Sequence, residues 1–324
     1  MARDLRILPK ANLHLHLSGS MRPATLAELA QRYGLAVPPA LDTGIPHEWV
    51  AFQTRYDTAR DVLRTPADVR RVVLEAAEDC AADGCGWLEI QVDPTGIGVA
   101  LGGVQPALEA VLGATADALI PTRVVVASSW ARSGDHALML AKLAIRYIDS
   151  GVVGFGLSND ERMGSVGDFI PACDLAAKAG LLVNPHSGFY TGADHVLDCV
   201  TLLGAGRIGH GTSAAYSAAV MDVLASRIIP LEICPMSYPP LGVHTLSSLP
   251  VRELLDAGVP IAIGSDDPLL FGVGLAGQYE LLREHLGLSD AELARIAVEG
   301  VMASTAPDSV KAELAGGVAG WMGV

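Results

Sequence analysis

Cysteine is scarce: the 324-residue chain has five, Cys80, Cys85, Cys173, Cys199 and Cys234, and no Cys-x-x-Cys pair. An odd, scattered set argues against a disulfide framework and reads instead as reduced, mostly buried thiols. Any metal must then rest on histidine and carboxylate. Long hydrophobic runs are missing too, since none approaches the roughly 20 residues a membrane-spanning helix needs. The opening Met1-Ala-Arg-Asp-Leu5 lacks the apolar core of an export signal. Positive charge is thin: 22 Lys+Arg, only four of them lysine, stand against 36 Asp+Glu, with no basic run. That balance argues against nucleic acid or an anionic membrane surface as the main partner. No Gly-x-Gly-x-x-Gly follows the first strand-like run and no Walker loop occurs anywhere, which removes the common nucleotide cradles. The expectation is a cytoplasmic protein acting on a small molecule, with its oligomeric state open.

Apolar sequence, by contrast, is plentiful. Half the residues are hydrophobic and the mean hydropathy is +0.37, so a large core can form. The length suits either two average domains or one α/β barrel of about 250 residues or more. Short apolar runs at 11–17, 86–92, 122–128, 152–157, 181–184, 207–210, 228–234 and 260–264 alternate with helical patterns. The helices are expected at 65–82, 104–118, 135–149, 167–179, 193–203, 215–225 and 248–257, with a helical tail over 273–303. Thr65 and Pro66 supply an N-cap and first helical residue. Continuously apolar runs separated by helices imply parallel strands buried on both faces. An eight-fold alternation points to a single (β/α)₈ TIM-type barrel over residues 1–324, with extra C-terminal helices. A doubly wound open sheet is the alternative. Residues 21–65 form an excursion after strand one that reads as a helical lid. The final Gly316-Gly-Val-Ala-Gly-Trp321 reads as loosely held.

In such a barrel the residues just after the strands form the working face. His14 and His16 alternate with leucines on the first strand, so they project from one face. His186 follows strand five, His210 strand six, and Asp266-Asp267 strand eight. Four of nine histidines therefore sit at strand ends, a set suited to Zn²⁺ with an open position for water. A His₃Asp set also accommodates Fe²⁺ or Mn²⁺. His47, His136, His195 and His285 read as surface residues, and His244 is not assigned to the site. Glu232, on the same strand face as Cys234, reads as a second-layer partner for a ligand histidine or simply as a satisfied buried carboxylate. Cys234 reads as packing. Trp49, Phe52 and Tyr56, at helical spacing in the excursion, read first as lid core and second as substrate cover.

Leu13-His-Leu-His-Leu-Ser-Gly19, His186-Ser-Gly, Arg207-Ile-Gly-His-Gly211, Leu231-Glu-Ile-Cys-Pro-Met-Ser237 and Ile263-Gly-Ser-Asp-Asp-Pro268 resemble the adenosine deaminase family of the amidohydrolase superfamily, in order and spacing. The resemblance implies a metal-dependent barrel with His14, His16, His186 and Asp266 as zinc ligands. It implies His210 as the residue assisting the attacking water, and Asp266 as ligand and proton acceptor together. The substrate-facing positions it marks are His16, Ser18, Gly19, Asn159, Phe189 and Asp267, the last against a purine's imidazole edge.

The family pattern also breaks here. Its fifth-strand motif His-Ala-Gly-Glu reads His186-Ser187-Gly188-Phe189, and the glutamate is the proton donor to the substrate ring. One general acid contributes about 10²–10⁴ in rate, so the usual aminopurine route is expected to be impaired. The family's Leu-Ala-Gly-Asp-Glu reads Leu157-Ser158-Asn159-Asp160-Glu161, its Asp-Gly after strand one reads Ser18-Gly19, and the arginine expected on strand two is Gln91. The first expectation is therefore a zinc aminohydrolase on a small heterocyclic or nucleoside-like substrate other than adenosine. The second is metal-dependent hydrolysis, lyase or cyclase chemistry on an amide, lactam or ester without ammonia release. The third is a non-catalytic binding protein.

Overall fold

The computed structural model describes residues 2–323. Its strands are β1 (Lys10–His16), β2 (Cys85–Val92), β3 (Thr122–Ser129), β4 (Val152–Ser158), β5 (Leu182–Ser187), β6 (Ile208–His210), β7 (Leu231–Ile233) and β8 (Ile261–Ile263). They pair in sequence order and every pairing is parallel. The circle closes where Asp266 donates its amide to His14 O at 2.9 Å and His16 donates its amide to Asp266 O at 3.0 Å. This is a (β/α)₈ barrel, which disposes of the open-sheet alternative. The residues that close it are also residues singled out for chemistry, so barrel closure and site assembly are one event.

The excursion after β1 holds two helices, α1 (Pro23–Tyr33) and α2 (Trp49–Asp61). α3 (Pro66–Ala82) begins as its sequence directs: the Thr65 side chain accepts from the Asp68 amide while Asp68 accepts back from Thr65. Such reciprocal capping satisfies two otherwise orphaned donors. α4 (Pro94–Leu101) has no counterpart in the sequence reading. Asp93, the residue after β2, caps it by accepting from the Thr95 amide at 2.9 Å, and Gly96, Gly98 and Gly102 had masked the helical pattern.

Three of the further differences have a clear physical cause. β5 runs on to Ser187, through Pro185, which pairs in register with Leu157. A proline removes one donor but does not end a strand whose carbonyl side is paired. β7 begins at Leu231 rather than Ile228, because Ile228 adopts a left-handed φ of 55° at the end of the helix Ala218–Arg227. The C-terminal segment is not loose. It forms the helix Asp308–Met322, and the Trp321 indole donates to Asp4 O at 2.8 Å while Arg3 Nη2 donates to Met322 O at 2.7 Å. That clasp joins the two ends of the chain, a pairing no local pattern reveals.

Candidate active site

Alternation along β1 aims both imidazoles into the barrel, with His14 fully buried beneath His16. His186, on β5, joins them; the Trp130 indole donates to its carbonyl oxygen at 2.9 Å and fixes the backbone there. His16 Nε2 lies 3.1 Å from His186 Nε2 and 3.2 Å from Asp266 Oδ1, while His14 Nε2 lies 3.4 Å from the same oxygen. The other Asp266 oxygen accepts from the Ser237 hydroxyl at 2.6 Å. His210 completes the cluster, its ring centroid 4.8 Å from that of His14 and 5.1 Å from that of His186. Asn159, His210 and Asp266 adopt left-handed φ values of 74°, 66° and 55°. Side chains other than glycine rarely sit there, and such backbone gathers at functional sites.

Burial sets the charges. Burial, with His14, His210 and His16 alongside, holds His186 well below the ordinary histidine pKa, and burial brings His210 down to about 3. Burial also lowers His16. All three are neutral imidazoles at neutral pH, the form that donates a lone pair to a metal. Burial disfavours charge on His14 as well, but the Asp266 and Glu232 carboxylates beside it outweigh that and raise it to about 10 without an ion, so an ion bound at Nε2 would displace a proton. Burial pushes the Asp266 carboxyl up, yet the His14 and His16 contacts prevail and hold it well below the carboxylate range. Burial and the neighbouring Asp266 push Asp267 well above that range.

A column of buried charge supports this cluster from below. Glu232 accepts from His14 Nδ1 at 2.9 Å and from Asn184 Nδ2 at 3.0 Å. Arg207 Nε lies 2.7 Å from the Glu232 carboxylate, although its N–H is not aimed at the oxygen. The far side of the Arg207 guanidinium binds Glu89 and, at 3.0 Å, Ala303 O. Glu89 in turn accepts from the Trp87 indole at 3.0 Å and the Thr305 amide at 2.6 Å. The Arg207 and Glu89 roles were missed in the sequence. Their only signal was position: charged residues inside otherwise apolar strands. Cys234 is buried, as its strand position suggested, and its sulfur lies within reach of His14, His210 and Asp266.

Above the cluster opens a cavity lined by aromatic rings and a few convergent polar groups, the usual make-up of a small-molecule site. His16, His186, His210, Asp266, Asp267, Asn159 and Phe189 line it. Ser18 and Gly19 do not: they are buried behind its wall, and a Cβ on Gly19 would fall 1.6 Å from Asp267 Oδ1. Gly19 is thus needed for the close approach of Asp267 rather than for substrate contact. The Phe189 ring packs 4.6 Å from His210 and 5.3 Å from Tyr238. Its loop is pinned by Glu161, one oxygen of which accepts from the amides of Phe189, Tyr190 and Thr191 at 2.8, 2.6 and 3.1 Å. Trp49, Phe52 and Tyr56 are both lid core and cavity wall. Phe52 stacks on Phe271 at 5.7 Å, and all three line the opening. His195 is not a surface residue; it is half-buried, with Nδ1 2.7 Å from the Ser187 hydroxyl. His244 instead pairs with the Thr212 hydroxyl at 3.1 Å.

The donor set fits a divalent ion on its own chemistry. His14 Nε2 is buried without a hydrogen-bond partner, and two neutral imidazole nitrogens 3.1 Å apart are turned toward each other beside a carboxylate. Lone pairs so arranged repel unless a proton or a cation lies between them, and three imidazoles with one carboxylate are borderline-soft donors.

The model of the adenosine deaminase family matches residues 9–321. A putative adenosine/adenine deaminase of Streptomyces virginiae is 49% identical, over 99% of this chain and 98% of its own. The crystal structure of an adenine deaminase from Arthrobacter aurescens superposes with a TM-score of 0.89 at 27% identity, covering 98% of this chain and 99% of its own. An amidohydrolase from Burkholderia ambifaria with bound zinc superposes with a TM-score of 0.86 at 25% identity, covering 98% and 93%. The barrel, the family match and the relatives together make this chain a member of the adenosine deaminase family, a hydrolytic deaminase-type enzyme of the amidohydrolase superfamily.

Proposed function

We propose that this enzyme is a zinc-dependent aminohydrolase that removes an amino group from a small heterocycle, and that adenosine by the usual route is not its substrate. The observation that carries the reading is the convergence of His14, His16, His186 and Asp266 at the floor of a cavity walled by aromatic rings. These four residues would hold the ion, which when bound supplies a water of lowered pKa as nucleophile. Asp266, steadied by the Ser237 hydroxyl, accepts that water's proton, and neutral His210 offers a second acceptor beside it. Glu232 holds His14 through Nδ1, which leaves Nε2 for the ion. Phe189 and Tyr238 stack beside His210 and keep bulk water from that side. The aromatic rings of α2 suit a planar substrate.

The test is a broad screen of amino-substituted purines, pterins and pyrimidines with metal-loaded protein, following ammonia and substrate mass together. Ammonia from at least one of them is the expected result; none from any would overturn the reading. Phe189 also favours a second reading, attack on an amide, lactam or ester, since such a substrate needs no ring protonation. Loss of substrate mass without ammonia would select it. Phe189→Glu supplies a companion prediction. Restoring a carboxyl beside His210 should raise adenosine deamination at least about tenfold, out of the 10²–10⁴ that a general acid supplies. Steady-state ammonia release from adenosine checks it, and no gain means that the rest of the pocket rejects adenosine.

A further inference from the structure

α2 carries more than aromatic cover. Trp49, Phe52, Gln53, Tyr56 and Arg60 recur at helical spacing, and all five line the cavity. Arg60 is the one cationic side chain in that lining among the described residues. Its guanidinium carbon lies 5.0 Å from the Tyr56 ring centroid, and Tyr56 in turn lies 6.5 Å from His16. One helical turn beyond Tyr56 is a rise of about 6 Å, so Arg60 lies one turn further along that wall than the ring that faces His16.

The placement is built. Arg60 passes over α4 at Gly96, where a Cβ would fall 2.0 Å from Arg60 Cδ and 2.5 Å from Nε. A side chain there would push the arginine from this path to the wall, where it is 24% exposed. A guanidinium has five donors, and one is used: Nη1 bonds Asp57 Oδ1 at 3.1 Å. Two other carboxyl groups lie near it: Asp267, and Asp93, which lines the same wall with one oxygen already accepting from the Thr95 amide at 2.9 Å. Asp57 also accepts from Gln53 Nε2 at 2.8 Å. None of these carboxyl groups engages the guanidinium edge-on, so a two-pronged acceptor can still be taken there.

We propose that Arg60, positioned by Gly96, binds an anionic group, a carboxylate or a phosphate, on the part of the substrate far from the amino group. This rests on the deaminase reading but names a feature which that reading leaves open. Charge-assisted bonds of this kind are worth about tenfold to a hundredfold in affinity.

The experiment measures binding of matched pairs to metal-loaded protein by calorimetry: 9-methylhypoxanthine against 9-(carboxymethyl)hypoxanthine, and inosine against inosine 5′-phosphate. Ammonia release from the corresponding 6-amino compounds is followed in parallel. The anionic member of at least one pair should bind about 10–100-fold tighter, and which pair shows it separates carboxylate from phosphate. In Arg60→Gln the ratio should fall to about one. It should fall likewise in Gly96→Ala, which keeps the charge and adds a good helix former within α4. A merely structural arginine would weaken both members together and leave the ratio intact. No preference in either pair, or a preference that survives Arg60→Gln, overturns the proposal. Ammonia release without anion preference removes this subsite and keeps the deaminase; preference without ammonia does the reverse. Neither one removes both.

Discussion

Asp266→Asn should leave a folded protein whose turnover is lower by about 10²–10⁴, the contribution of a positioned proton acceptor, and whose metal content falls as well. Asparagine is the informative replacement because residue 266 has a φ of 55°, which Asn and Asp tolerate better than most residues. The backbone bonds of Asp266 to β1 can therefore persist, while the negative charge beside His14 and His16 is gone. Metal content by mass spectrometry and unchanged circular dichroism, read beside ammonia release, separate this result from misfolding. Wild-type turnover in the Asn variant would remove Asp266 from the chemistry.

Arg207→Met should be the most destabilising single change in the barrel interior, by about 3–5 kcal/mol, because it strips a buried guanidinium from two buried carboxylates. Glu89 keeps the Trp87 and Thr305 donors, but Glu232 keeps only His14 and Asn184. With Arg207 absent, Glu232 loses its cationic neighbour and orients His14 less firmly. Metal affinity should accordingly fall about 10–100-fold, as when other outer partners of ligand histidines are removed. Denaturant unfolding of the metal-free protein reads the first effect and chelator competition reads the second. A loss of stability with unchanged metal affinity would confine Arg207 to holding the barrel base.

How far the sequence was readable depends on range. The strands were legible because a strand buried on both faces shows as an apolar run. His14 and His16 were legible as a pair because their two-residue spacing is itself the geometry. Pro185 and Ile228 misled the strand limits, since what decides there is which backbone groups find partners across the barrel. α4 and the C-terminal helix were hidden by glycines, whose poor helix propensity was overridden by a proline start, by Asp93 and by the Trp321–Asp4 clasp.

The chain by itself determined the barrel, the family pattern and the residue types of the histidine–aspartate cluster, because each is written in local periodicity or in short motifs. Only the tertiary structure decided that Ser18 and Gly19 stand behind the wall, and that the α2 aromatics and Arg60 face the cavity. It likewise decided that Arg207 links Glu89 to Glu232 beneath His14. Those facts depend on which side chains meet from elements well separated along the chain. Closure of the barrel, rather than any local preference, is what brings them together.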